Sequence, residues 1–433
     1  MQVTSDTAKM PPREQPMLVV PRFRSFRYLF TSSRLHSFAR TFGERRAAAC
    51  ALATLLLTTA CGREHASPVA PADSTQTLAQ LSFSAIEAGS AALTSEPKPF
   101  STPTYDGSGQ SVHPDIMLFP AAWHGSRMWV SLTPYPFGNS GFENPSLYVS
   151  STGTSVQVPS GVVNPLVPMP FAPNYNSDPD LTYDPHTDRL VMAYRVAGGP
   201  SNQIMVMSSG DGQSWTVPHL AFSAYGNGAV SPSMLPARDG HPAMAWYVDA
   251  GTAGCGATST RVMVRRAASS AVPLDSVAWQ DGVATDLTQP GYVVWHMKVE
   301  YVPSFKEYWA LYVAYPADGG SCQDDDLFLA RSADGVHWQT YSRAVLRHEL
   351  RAWTAGALYR SSFVYDPTTD ALRVWLSGVD VTAVWHVGYA QFRLSSLLAQ
   401  LAAPAHKVML TSLGLPSSGA PVRSPGPRWS SAP

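Results

Sequence analysis

Five short segments recur about every 50 to 65 residues, each running from a polar or charged cluster into an apolar stretch. They are His113-Pro114-Asp115-Ile116-Met117, Ser177-Asp178-Pro179-Asp180-Leu181, Val230-Ser231-Pro232-Ser233-Met234, Trp295-His296-Met297-Lys298-Val299 and Tyr359-Arg360-Ser361-Ser362-Phe363. A second, aromatic-rich run follows each: Met128 to Thr133, Leu190 to Tyr194, Ala243 to Val248, Trp309 to Ala314 and Leu372 to Ser377. Short runs rich in aromatic and β-branched residues read as strands. Four strand-like runs per repeat, at this period, predict the blades of a propeller. The expected fold is all-β: a five-bladed β-propeller over residues 98–402, with four-stranded antiparallel blades around a central channel. The first strand of each blade lines that channel, so five polar clusters distant in sequence should meet at one mouth.

The turns agree with this reading. Tyr183-Asp184-Pro185-His186-Thr187-Asp188 and Tyr365-Asp366-Pro367-Thr368-Thr369-Asp370 join first to second strands. Proline fixes φ there, and Asp bonds the backbone two residues on. Ser209-Gly210-Asp211-Gly212-Gln213-Ser214-Trp215 and Ser332-Ala333-Asp334-Gly335-Val336-His337-Trp338 repeat a Ser-x-Asp-Gly-x-x-Trp hairpin expected at the outer edge of a blade. The sequence shows no long amphipathic helix, P-loop, dinucleotide fingerprint or Cys/His zinc spacing.

Charged residues make up 14% of the 433-residue chain and the formal net charge is −1, so no basic excess is present to neutralise phosphates and no nucleic-acid partner is expected. The N-terminal part reads as a targeting segment. Arg40, Arg45 and Arg46 precede the apolar run from Ala47 to Ala60, which is too short to span a bilayer but fits a signal-peptide core. Leu57-Thr58-Thr59-Ala60-Cys61 resembles a bacterial lipobox, which implies lipidation of Cys61 and anchoring to the cell envelope from outside, with simple secretion as the alternative. Residues 62–97 read as a flexible tether and 403–433 as a disordered tail. Cys255 and Cys322 fall in the same loop of the third and fourth repeats. Equivalent loops of adjacent blades are neighbours, so a Cys255–Cys322 disulfide is expected in an oxidising compartment.

Propeller geometry also selects the residues that share the mouth: starts of first strands, ends of second strands and starts of third strands. These are His113, Asp115, Tyr135, Glu143, Asn144, Asp178, Asp180, Tyr194, Arg195, Tyr247, His296, Asp326, Arg360, Trp385 and His386. Carboxylates from adjacent blades suit acid/base work across a glycosidic bond, at roughly 6.5–9.5 Å for an inverting pair or about 5–5.5 Å for a retaining one. Asp115, Asp178, Asp180 and Glu143 are the candidates. Arg195 and Arg360 suit a sugar carboxylate or the orientation of a catalytic Asp. Asp324-Asp325-Asp326 reads as a solvated loop or a calcium site.

The strand-start acids, the two hairpins and the five repeats together resemble the five-bladed β-propeller glycoside hydrolases of families 43 and 32. The stretch from Thr133-Pro134-Tyr135-Pro136 to Phe142-Glu143-Asn144-Pro145-Ser146 resembles a recurring bacterial and phage propeller group. The family resemblance implies hydrolysis of a polysaccharide or furanoside side chain, with an Asp on blade one, an Asp on blade two and a Glu opening blade three. Blade three here opens Val230-Ser231-Pro232-Ser233, so Glu143 is the expected acid. Asp115 is then base or nucleophile, with Asp180 or Asp178 tuning it. His113, Tyr135, Asn144, Arg195, Tyr247, His296, Arg360 and Trp385 are the expected substrate contacts. No cofactor or catalytic metal is expected, a structural calcium is allowed, and the expected partner is an oligosaccharide bound to a monomer. Two further readings stay open: a carbohydrate-binding surface lipoprotein without catalysis, and a polysaccharide lyase using Tyr135 or His296 with Arg360 and Asn144.

Overall fold

A computed structural model describes residues 87–238, 240–269 and 273–403. The expected signal segment, Cys61 and the tail beyond 403 lie outside the described residues. Strand β1 (Leu93–Phe100) comes first in the chain but belongs to the last blade. Blade one is β2 (Ser111–Trp123), β3 (Ser126–Pro134), β4 (Ser146–Ser150) and β5 (Val156–Gln157). Blade two is β6 (Tyr175–Asp184), β7 (Arg189–Ala197), β8 (Ser201–Ser209) and β9 (His219–Tyr225). Blade three is β10 (Val230–Leu235), β11 (Met244–Asp249), β12 (Arg261–Arg266) and β13 (Val283–Ala284). Blade four is β14 (Tyr292–Val302), β15 (Glu307–Pro316), β16 (Asp326–Ser332) and β17 (Gln339–Thr340). Blade five is β18 (Ala357–Asp366), β19 (Ala371–Val379) and β20 (Trp385–Arg393), completed by β1 on the outer edge. A short helix, α1 (Leu394–Ala402), follows.

Every pairing is antiparallel, and the first strands pack on one another around a ring, β2 to β6 to β10 to β14 to β18 and back to β2. The chain is therefore a five-bladed β-propeller. The ring closes through β1, which pairs with β20 from Leu93↔Phe392 to Phe100↔Val387. This corrects the expected boundary: residues 93–97 are blade, not tether. Thr94-Ser95-Glu96-Pro97-Lys98-Pro99 carries little strand signal, but an edge strand tolerates proline, which has no N–H to donate.

The glycine of each hairpin sits against a tryptophan of the neighbouring blade. A Cβ on Gly212 would meet the ring of Trp129, and one on Gly335 the ring of Trp246. A third hairpin, Ser150-Ser151-Thr152-Gly153, works the same way without the Asp: Ser150 Oγ accepts the Gly153 N–H at 2.8 Å, and the Gly153 carbonyl accepts Trp375 Nε1–H at 2.6 Å. The Cys255–Cys322 disulfide joins blades three and four, with the Cα atoms 5.4 Å apart.

Each first strand carries the same irregularity. Two of its residues oppose a single residue of the second strand, at 113–114, 178–179, 231–232, 295–296 and 359–360. Such β-bulges bend the strand and re-aim side chains. In three blades the first bulge residue has positive φ and precedes proline: His113 (+56°), Asp178 (+50°) and Ser231 (+54°). Non-glycine residues in this region are strained and cluster at functional sites.

Candidate metal centre at the channel mouth

Hydrogen bonds from blade to blade hold the bulges in place. Asp115 Oδ2 accepts the N–H of Leu181 in blade two at 2.9 Å, and Asp180 Oδ2 accepts that of Met234 in blade three at 2.7 Å. Ser233 Oγ accepts the Val299 N–H at 3.0 Å and Ser362 Oγ the Ile116 N–H at 3.2 Å. In four of the five blades one carboxylate or hydroxyl thus latches onto the backbone of the next.

Asp115 and Asp180, read from sequence as catalytic acids, are both fully buried and both bind the Lys298 ammonium at 2.8 Å. Burial pushes the Asp180 carboxyl up, but Lys298 and Arg360 outweigh it and hold it below the usual range. The oxygens of these two acids lie on backbone N–H groups of the next blade and on an ammonium, so each ties one blade to its neighbours. Arg360 is buried beside them. It donates to the carbonyls of Pro179 (2.5 Å) and Pro232 (2.9 Å) and to Asp180 Oδ1 (3.0 Å), and so clamps the bulges of blades two and three. Tyr247 lies elsewhere. Side chains alternate along β11, and its ring packs on Phe222 (5.4 Å) between blades two and three with the Arg265 guanidinium above it. Asn144 braces the loop after β3: its Nδ2 donates to the Tyr105 hydroxyl at 2.7 Å, and its Oδ1 accepts from Asn176 at 2.8 Å.

His113, Glu143, Asp178, Arg195 and His296 converge, whereas His386 pairs with Asp380 at 3.4 Å. His113 Nε2 lies 3.0 Å from Asp178 Oδ1, and His296 Nδ1 lies 3.5 Å from that same oxygen. Arg195 Nε lies 2.9 Å from the other oxygen of Asp178. Glu143 Oε1 is 3.7 Å from His113 Nδ1, which sits 3.1 Å from the Thr133 hydroxyl. An aromatic wall continues outward, from His296 to Tyr359 (4.1 Å between centroids), Trp385 (5.1 Å) and Tyr135 (5.0 Å). Asp326 stands apart, paired with His348 at 2.8 Å and faced by Arg347.

Three facts make the His113, Asp178 and His296 group a fit for a divalent cation. Its ligand atoms lie within 4.8 Å of one another. His113 Nε2, Asp178 Oδ1 and both nitrogens of His296 are buried without a hydrogen-bond partner of good geometry, a costly state unless something binds them. Burial, reinforced by Arg360 and Arg195 and only partly opposed by Asp178, pushes His113 down to about 3, and His296 is pushed down for the same main reason. Both imidazoles are thus neutral near pH 7, as ligation requires. Two imidazoles and a carboxylate suit zinc and related ions. The sequence reading put no catalytic metal here. It took His113 and His296 as sugar contacts, with a channel metal or water only as another use of His296. Burial, followed by the Asp178 charge, raises Glu143 well above the ordinary carboxylate range, with Arg195 opposing. Lys298 and Tyr359 escaped the sequence reading; a lone lysine among Val293, Val294, Met297 and Val299 was the available signal for a buried counter-ion.

No family model matches the chain. The fold is that of the five-bladed propellers found among glycoside hydrolases. The crystal structure of the α-L-arabinofuranosidase PaAbf62A from Podospora anserina covers 71% of this chain and 98% of its own, at TM-score 0.50 and 13% identity. A nearer likeness, at TM-score 0.64 and 24% identity, is to an N-acetylgalactosamine deacetylase from F. plautii crystallised with blood group B trisaccharide, covering 71% of this chain and 97% of that one. Among curated proteins the chain is 26% identical over 316 residues to the A type blood N-acetyl-alpha-D-galactosamine deacetylase of Flavonifractor plautii. That match takes in 62% of this chain and 40% of the relative, so the chain spans about two fifths of the relative's length.

Proposed function

We propose that this protein is a divalent-metal-dependent hydrolase that removes the N-acyl group from an amino sugar of a glycan. The observation that carries this reading is the set of buried, unpartnered ligand atoms on His113, Asp178 and His296. Against the expected glycosidase, two of its four candidate carboxylates are engaged as latches and Asp178 is shared between Arg195 and two imidazoles. The similarity to a carbohydrate deacetylase supports the amide as the bond cleaved.

His113 through Nε2, Asp178 through Oδ1 and His296 through Nδ1 would hold the ion. A divalent cation so held supplies Lewis acidity toward an acyl oxygen and makes a water acidic near neutral pH. Thr133 fixes the His113 ring by accepting at Nδ1, which leaves Nε2 as the ligand. Arg195 holds one oxygen of Asp178 and leaves the other for the cluster. Glu143 is the group positioned to hold a proton beside the reacting carbonyl and deliver it to the leaving nitrogen. Tyr359, Trp385 and Tyr135 form the wall against which the sugar ring packs. We further place the enzyme outside the cytoplasm, lipid-anchored at Cys61; the Cys255–Cys322 disulfide supports an oxidising compartment.

The test is to incubate the full chain with an N-acetyl-α-galactosaminide and measure acetate and new reducing ends in parallel. The expected result is acetate release that a chelator stops and Zn²⁺ or Mn²⁺ restores. New reducing ends without acetate, indifferent to chelator, would return the reading to a glycosidase.

A further inference from the structure

We infer that blade two carries a second binding site, for a neutral sugar unit of the same glycan, next to the metal cluster; this deepens the function proposed above and rests on it. On the mouth end of the blade lies a cavity of about 310 Å³, of the size that takes small ligands (about 300–1,000 Å³). Its floor is a row across three strands: Val196 on β7 pairs with Gln203 on β8, which pairs with Ser223 on β9. Its walls are Asn174, Pro200 and Ser201.

The shape is built by the backbone. Gly198 has φ +97°, and a Cβ there would run into the Pro173 carbonyl. Only glycine therefore lets the 171–174 loop close down on the β7–β8 turn. The cavity is also tied to the central site. Val196 follows Arg195, and Asn174 precedes Tyr175, whose ring lies 6.0 Å from the Arg195 guanidinium.

The chemistry of the lining selects the ligand. Two carboxamides and two hydroxyls face the space, and no ionisable side chain lines it. A carboxamide both donates and accepts, as a sugar hydroxyl does. Gln203 and Ser223 are exposed and Asn174 and Ser201 half-buried, so their polar groups are accessible to a ligand. A phosphate or an ammonium ion would find no counter-charge, whereas a pyranose would find polar partners for its hydroxyls and Val196 and Pro200 for its C–H face. Phe171, 95% exposed, belongs to the same loop as Asn174, its carbonyl accepting the Asn174 N–H at 3.1 Å. A ring so exposed is a platform on which a sugar can stack.

The experiment compares the methyl glycoside of N-acetyl-α-galactosamine with a trisaccharide ending in the same residue. Gln203→Ala and Phe171→Ala should each raise KM for the trisaccharide about fivefold to tenfold, the loss of one or two hydrogen bonds or one stacked ring. The methyl glycoside, which reaches only the central site, should change less than twofold. Equal effects on both substrates, or none on either, would overturn the inference. Should neither substrate turn over, calorimetric titration of the trisaccharide separates the two claims. Binding by His296→Ala that is lost in Gln203→Ala supports the blade-two site without the deacetylase reading; no binding by the unaltered chain overturns the site as well.

Discussion

Asp115→Asn separates a latch from a catalyst. The carboxylate accepts Ile116 N–H on Oδ1 (2.9 Å), and Leu181 N–H and the Lys298 ammonium on Oδ2. An asparagine can keep its carbonyl oxygen toward Leu181 and Lys298, because Ile116 N–H has a second acceptor in Ser362 Oγ at 3.2 Å. What is lost is one negative charge beside a buried ammonium and the Oδ1 acceptor of the Ile116 N–H, which the amide NH2 must turn away from. Breaking a buried pair costs about 3–5 kcal/mol, and the retained hydrogen bonds place this case near the lower figure. For about 300 ordered residues the unfolding entropy is on the order of 0.6 kcal/mol/K, so Tm should fall about 5 °C. Activity below that temperature should stay within about threefold of the unaltered enzyme. Glu143→Gln should behave the opposite way: Tm held or raised, since a buried acid becomes neutral, and acetate release down by about 10²–10⁴. Differential scanning calorimetry and initial rates on both variants decide the matter. An Asp115→Asn protein with unchanged Tm and abolished turnover would refute the latch assignment and restore that acid to the chemistry.

Removing either imidazole, His113→Ala or His296→Ala, should lower bound zinc from about one ion per chain toward zero by elemental analysis, with activity lost in parallel. Glu300, 3.3 Å from Lys298, is pushed by burial from 4.5 up to about 7, with Lys298 opposing. Its unfolded form loses the proton first, so its contribution is most favourable below about pH 4.5 and declines as pH rises through about 7. The loss is on the order of 3 kcal/mol and should be absent from urea titrations of Glu300→Gln. Reduction of the Cys255–Cys322 bond, which spans 67 residues, should lower stability by about 2–4 kcal/mol and Tm by about 3–6 °C, read by calorimetry with and without reductant.

The blades were legible because each repeat carries its own turn and hairpin signals, and local chemistry suffices to form a blade. The ring closure was not, since β1 is a strand only by virtue of its partner β20. The same division runs through the site. His113, Glu143, Asp178, Arg195 and His296 could be gathered from propeller geometry alone. Their roles could not, because a carboxylate that latches onto backbone and one that faces two imidazoles look alike in sequence: Asp178 and Asp180 flank a single proline and face different partners. Tyr247 was misplaced by one step of strand alternation, since the residue opposite a bulge points between blades and not into the mouth.

The five bulges amount to a ring of sockets whose positions belong to the backbone. Proline after residues 113, 178 and 231 denies those strands the N–H needed to return to a regular ladder, so the sockets stay set whichever side chain fills them. In this chain imidazole, carboxylate and imidazole stand in the sockets of blades one, two and four, while blade three holds Ser231, whose hydroxyl accepts Met297 N–H at 3.1 Å. A propeller of this kind can exchange one chemistry for another by changing three or four side chains, and the open choice at blade three is where a fourth ligand or a second carboxylate would enter.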